Sequence, residues 1–138
     1  MSEQQLRRVL VEHWLEIAEE DYWSPQTALS ADPPKLSVAG FATQQMAEKC
    51  LKAYLEHHGA EIPRTHDLRA LVAMCSREDQ EFATLTVQAT ALDEVGITPR
   101  YPPVRLSREA VSKGLAMAER IRAFVRDRLP ETSSPPDL

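Results

Sequence analysis

Between its prolines, this chain spaces its apolar residues three and four positions apart, and no apolar-polar alternation of strand length interrupts the pattern. Such spacing places them on one face of a helix that turns every ~3.6 residues. Leu6, Leu10, Trp14, Ile17 and Ala18 mark a first amphipathic helix over about residues 3–23. Pro25 and Asp32-Pro33-Pro34 break the stripe, which predicts a loop over 24–35. A second helix is expected over 36–58, with Thr43, Ala47, Leu51 (or Cys50), Tyr54 and Leu55 inward. Gly59 then sits where a C-terminal cap wants a left-handed residue, and Pro63 prevents continuation.

Thr65 is the expected N-cap of a short third helix over 66–75, with Asp67 in its first turn, where the helix dipole favours an anion. Leu68, Leu71, Val72 and Cys75 form its inward face. Ser76, with Asp79 three residues on, signals the start of a fourth helix. Its stripe of Phe82, Leu85, Ala89, Leu92 and Val95 ends at Gly96. Residues 97–103 hold three prolines within five positions and cannot be helical. Ser107 caps a fifth helix reaching residue 129, with Val111, Leu115, Ala118, Ile121, Phe124 and Val125 on its stripe, and Pro130 stops it. The expectation is all-α, a four- to five-helix up-down antiparallel bundle forming one domain over 1–129, followed by a disordered tail over 130–138.

With 138 residues, 43% of them apolar, the chain can bury a core without staples. No apolar run approaches the ~20 residues of a membrane span. The charged N-terminus lacks a signal peptide's apolar stretch, so no membrane partner and a cytoplasmic location are expected. Cys50 and Cys75 stand alone and read as small core residues of a reducing compartment. Net charge is −5, unevenly spread: residues 100–129 hold eight bases against three acids, a segment of +5, which leaves −10 for the rest. The acidic whole argues against bulk coating of nucleic acid, while the basic segment allows a local phosphate site or an acidic partner. A solvated helix face accounts for most of those arginines.

Glycines at 40, 59, 96 and 114 are too scattered for any nucleotide-binding loop. His13, His57, His58 and His66 show no metal-ligand spacing, so neither metal nor cofactor is expected. No nucleophile elbow occurs, and neither cysteine has an adjacent base. Two features exceed core packing. The second helix sets Gln44, Gln45, Glu48, Lys49 and Lys52 beside its apolar stripe, and Glu48 and Lys52 can pair at i, i+4. The Arg100-Tyr101-Pro102 segment, with Arg105 nearby, holds an Arg and an aromatic between prolines. These suit phosphate and base contacts. They equally suit a Tyr packed over the bundle end with Arg100 in an ion pair.

Together these residues resemble a HEPN domain, the small helical domain of higher eukaryotes and prokaryotes with proposed nucleotide binding. Trp14, Ala18 and Asp21 match its first helix. Phe41, Gln44, Gln45, Ala47, Glu48, Lys49, Leu51, Lys52, Ala53, Leu55 and Gly59 match the second-helix signature. His66-Asp67-Leu68 with Leu71, and Arg100-Tyr101-Pro102, match the third helix and the segment before the last. The resemblance implies a helical bundle, commonly a homodimer, and for many bacterial members a neighbouring minimal nucleotidyltransferase in a toxin–antitoxin-like pair. It makes Asp21, Gln45, Glu48, His66 and Asp67 signature residues, and the Tyr101 hydroxyl a point that such a partner could modify.

Some HEPN members are metal-independent ribonucleases that carry an Arg and, four to six residues on, a His near the start of a late helix. This chain departs from them there: no His follows Arg100, and none occurs after His66. Arg8 and His13 have the spacing but lie in the first helix. The expected function is therefore a non-catalytic binding module. It would be a homodimer that binds a nucleotidyltransferase-type protein, or the phosphate of a nucleotide or RNA through Arg100, Tyr101, Arg105, Lys49 and Lys52. The alternatives are a ribonuclease toxin with an altered site, borrowing His66 or His13, and a purely structural assembly subunit.

Overall fold

The computed structural model describes residues 1–96 and 106–130. Among them are five helices and no strand: α1 (Glu3–Ser30), α2 (Leu36–His57), α3 (Leu68–Glu78), α4 (Thr86–Gly96) and α5 (Arg108–Asp127). A 3-10 turn, Gln80–Leu85, leads into α4. The all-α bundle expected from the periodicity is what the chain forms.

Helix α2 is the axis of the molecule, because its sequence is apolar or small on almost every side. Ala39, Met46, Ala47, Cys50, Leu51 and Ala53 are wholly buried, and Tyr54 and Leu55 nearly so. Around it the core draws Leu15 and Ala18 from α1, Leu68, Leu71 and Val72 from α3, and Leu92 from α4. Ala118, Ile121 and Val125 of α5 complete it. Phe82, from the 3-10 turn, packs between Tyr54 and Phe124, with ring centroids 4.3 and 4.9 Å away. Each large side chain so buried contributes roughly 1.5–3 kcal/mol. Helix α1 runs antiparallel to α2: Trp14 reaches Glu56, while at the other end the Ala28 carbonyl accepts from the Lys35 amide.

Four local expectations change. Helix α1 does not stop before Pro25 but runs through it to Ser30, so the loop expected over 24–35 shrinks to 31–35. Pro25 removes one backbone donor, yet its ring is buried with Ala28, and that burial holds the extra turns against the core. The α1 stripe is rotated: Leu6 and Leu10 are exposed, and Val11 and Leu15 are buried beside Ala18. Two apolar faces that share Ala18 compete in this helix, and packing chooses the second. Helix α3 is capped by Asp67 rather than Thr65, since the Asp67 carboxylate accepts from the amides of Arg69 and Ala70. It also runs past Cys75 to Glu78. Ser76 consequently lies inside α3, bonded to the Val72 carbonyl, and Asp79 starts the following turn by accepting from the Glu81 amide.

Other signals hold. Gly59 adopts φ +69° after α2, and Ser107 caps α5 through the Ala110 amide. The expected non-helical segment 97–103 and the tail from 131 onward lie outside the described residues.

Candidate functional site

The polar residues of α2 converge on one carboxylate. Glu48 is wholly buried, with its side chain 0% exposed. One of its oxygens accepts from Lys49 Nζ at 2.8 Å and from Lys52 Nζ at 3.4 Å. The other lies 2.7 Å from His66 Nδ1 and 3.4 Å from Gln45 Nε2. Burial pushes the Glu48 carboxyl up, but hydrogen bonds from Lys49 and His66 and the charges of both lysines outweigh it, holding the group below its ordinary value.

Helix geometry explains the convergence. Residues 45, 48, 49 and 52 share a side of α2 at i, i+3, i+4 and i+7. Asp67 caps α3, which fixes the preceding residue, His66, against that side. Gln44 ties the junction further: its Nε2 donates to the His66 carbonyl at 2.7 Å, and its Oε1 accepts from Gln45. Asp93 of α4 closes the ring by accepting from the Leu68 amide at 3.0 Å. Burial raises the Asp93 carboxyl, and the neighbouring Asp67 carboxyl adds to the rise against the Leu68 N–H.

On the α1 side, Trp14 lies under both lysines, with Lys49 Nζ 5.7 Å and Lys52 Nζ 5.8 Å from the ring centroid. Burial raises the Asp21 carboxyl, an effect the Lys49 charge opposes and Glu20 and Glu48 reinforce.

The expected site residues thus divide. Asp21, Gln45, Glu48, Lys49, Lys52, His66 and Asp67 come together where α1, α2 and the start of α3 meet. Lys49 and Lys52 are directed at Glu48, their side chains 16% and 7% exposed. His66 is the exception: its side chain is 63% exposed. Arg100, Tyr101 and Arg105 lie outside the described residues. The described ends of their segment nevertheless both abut α2. A β-carbon on Gly96 would fall 2.2 Å from Gln44 Cβ, and one on Gly40 would fall 3.1 Å from Leu106 Cδ1.

Asp93 was not anticipated from the sequence. Its signal is an acid one residue beyond Leu92, four from Ala89, on a stripe otherwise apolar. His13 is an exposed residue of α1. Cys50 and Cys75 are buried and free, and burial pushes both thiols up to about 12, so neither supplies a thiolate near neutral pH. Among the described residues no three His, Cys, Asp or Glu side chains are grouped to hold a metal, and no helix is long and apolar enough to cross a membrane. A cleft of about 490 Å³, lined by Gln4, Arg7, Arg8, Glu12, His57 and Pro130 among others, opens where α1 begins and α2 ends. It shares no residue with the polar cluster.

Comparison with known proteins identifies the family of the fold. The HEPN domain family matches residues 11–128. Among solved structures, ST0689, an archaeal HEPN homologue, is 28% identical with a TM-score of 0.69, over 86% of this chain and 96% of its own. TT1696 from Thermus thermophilus is also 28% identical, with a TM-score of 0.75, over 86% of this chain and 98% of its own. No curated protein matches the chain.

Proposed function

The chain belongs to the HEPN domain family, and from that membership we propose that it is a non-catalytic binding module for a phosphate-bearing ligand, a nucleotide or RNA, engaged at the surface around His66. One observation carries this reading. The His66 ring is 63% exposed, yet its Nδ1 is held 2.7 Å from a carboxylate that has no exposure at all. A brace between α2 and α3 would be served equally well by a buried ring. An exposed ring with a fixed orientation is what a contact surface requires. Gly96, the last described residue before Arg100, Tyr101 and Arg105, lies beside Gln44, the same side chain that bonds the His66 carbonyl. Those guanidinium groups would supply the phosphate contacts and Tyr101 a stacking face. Lys49 sits at the rim and holds the carboxylate that orients His66.

In this reading the chain acts as a cytoplasmic homodimer beside a nucleotidyltransferase-type partner, in a toxin–antitoxin-like pair. Exposed Leu6, Val9 and Leu10 near the start of α1, and, at the opposite end of the antiparallel pair, Val38 and Phe41 near the start of α2, offer two apolar surfaces for a second copy. A metal-independent ribonuclease is the second reading, favoured by the carboxylate behind His66, which is how a general base is oriented.

One experiment separates these. A fluorescent single-stranded RNA oligomer is titrated with wild type, His66→Ala and Arg100→Ala of equal Tm in the presence of EDTA, and its integrity is followed on a gel. Binding that weakens in both variants, with intact RNA, supports the module. RNA cut by wild type and spared by His66→Ala establishes the ribonuclease instead. Equal binding by all three removes His66 and Arg100 from the site.

A further inference from the structure

Two of the four histidines face a carboxylate through Nδ1, and the two contacts differ. His58 lies 3.5 Å from Glu78, an acid 40% exposed. His66 lies 2.7 Å from Glu48, which is wholly buried and shared with Lys49 and Lys52. An ionised carboxylate only accepts, so the proton between Glu48 and the His66 ring belongs to Nδ1. In the neutral ring Nε2 then carries the lone pair, and it lies on the side of the ring away from Glu48. The result is a nucleophilic nitrogen of fixed tautomer on a ring that is 63% exposed, with a buried carboxylate, shared with Lys49 and Lys52, on its Nδ1 side.

We propose that His66 Nε2 is an acceptor site for a phosphoryl group from an energy-rich phosphoryl donor, with Glu48 as the positioning residue. The Nε2 lone pair attacks the donor's phosphorus. A nitrogen–phosphorus bond forms, and the bond to the leaving group breaks with its electron pair going to that group. Nothing is oxidised or reduced. Nδ1 keeps its proton, so the product ring is a phosphorylated imidazolium whose positive charge faces Glu48. A carboxylate already in place for that charge needs no reorganisation as the charge develops. The phosphoryl group would stand on the side of the ring away from Glu48, clear of the α3 amides that Asp67 and Asp93 already occupy. This chemistry would make the exposed ring a point of covalent control at the binding surface. It does not depend on the binding reading, because it needs only the nitrogen and the acid behind it.

The test uses the full chain and potassium phosphoramidate, from which ammonia leaves. Labelled histidines are mapped by mass spectrometry, and the isomer is assigned by phosphorus NMR. His66 is expected to react at Nε2, roughly tenfold or more faster than exposed His13, since each ~1.4 kcal/mol of stabilisation is tenfold in rate and a hydrogen bond to a charged group reaches that size. His66→Gln should abolish the fast label and leave the slow background. Glu48→Gln, confirmed as folded by circular dichroism, should bring His66 down to the His13 rate. Equal rates at His66 and His13 in wild type, or a label on His66 Nδ1, would overturn the proposal. So would a folded Glu48→Gln that retains the fast rate. The wild-type ratio and the isomer decide the matter even if Glu48→Gln does not fold.

Discussion

Lys49, Lys52, His66 and Gln45 all direct donors at the single carboxylate of Glu48. Removing that carboxylate would leave two largely buried ammonium groups without their partner. Glu48→Ala is therefore expected to lose about 3 kcal/mol, the lower end for breaking a buried pair, read from the urea midpoint at neutral pH. The pH dependence has a definite sign. The folded Glu48 carboxyl titrates below its ordinary value. Its stabilisation is thus complete above the unfolded carboxylate range and is lost as pH falls through the lowered folded value. Asp21 and Asp93 are shifted the other way by burial, so protonating them favours the folded chain. The stability gap between wild type and Glu48→Gln should shrink steadily once pH drops below about 4.5, the ordinary glutamate value. A gap constant down to pH 3 would show that Glu48 does not carry this dependence. At this scale helical spacing is informative for one helix, and beyond it only the family resemblance singles out Asp21, His66 and Asp67. Gln45, Glu48, Lys49 and Lys52 follow from helical spacing alone. That His66 would face the same carboxylate depends on how α3 docks, and Asp93 joins from α4 through a backbone amide, which no local pattern announces.

The helices show where local signals compete. Pro25 reads as a stop, and in isolation it would be one, but burial of its ring with Ala28 carries α1 on to Ser30. Thr65 and Asp67 are both good N-caps two residues apart. The structure uses both, Asp67 for α3 and Thr65 Oγ1 for the Asp67 amide. Their variants should differ accordingly. Asp67→Ala is expected to cost about 1 kcal/mol, the usual loss of a helix cap, and Thr65→Ala less, both measured by thermal melts. Gly96 marks a contact that periodicity cannot express. In the sequence it signals a helix end, and it does end α4, but it also lets α4 approach α2 until a β-carbon would lie 2.2 Å from Gln44 Cβ. Gly96→Ala should cost about 1–3 kcal/mol through overpacking. Because Gln44 also holds the His66 carbonyl, the variant should broaden or shift the His66 imidazole resonance in an NMR spectrum, whereas Thr65→Ala should leave it sharp.

Over the whole molecule, part of the uneven charge of the sequence is resolved within the chain. Arg122 and Arg126 of α5 meet Glu19 of α1 at 2.6 and 3.3 Å, and Arg128 meets Asp79 at 3.1 Å and also Glu81. Arg122 further lies over the Tyr22 ring and Arg128 over Phe124. Three of the six described bases of that segment therefore form a seam that holds α5 to its acidic neighbours, and the chain as a whole keeps its charge of −5. That balance limits how any nucleic acid could be held. A protein that coats a strand neutralises many phosphates and loses affinity steeply with salt, by roughly 0.7 decades per contact for each decade of salt on single strands. Here the proposed phosphate contacts are Arg100 and Arg105, and the net charge of −5 resists an extended track. RNA binding should accordingly fall with a log–log slope of only about −1.4 between 50 and 200 mM salt, the value for two contacts, followed by fluorescence anisotropy. Arg100→Ala should flatten that slope by about 0.7, because it removes one phosphate contact. A slope near −5 would instead point to a broad basic surface on α5, with its arginines released from Glu19 and Asp79 to meet the strand.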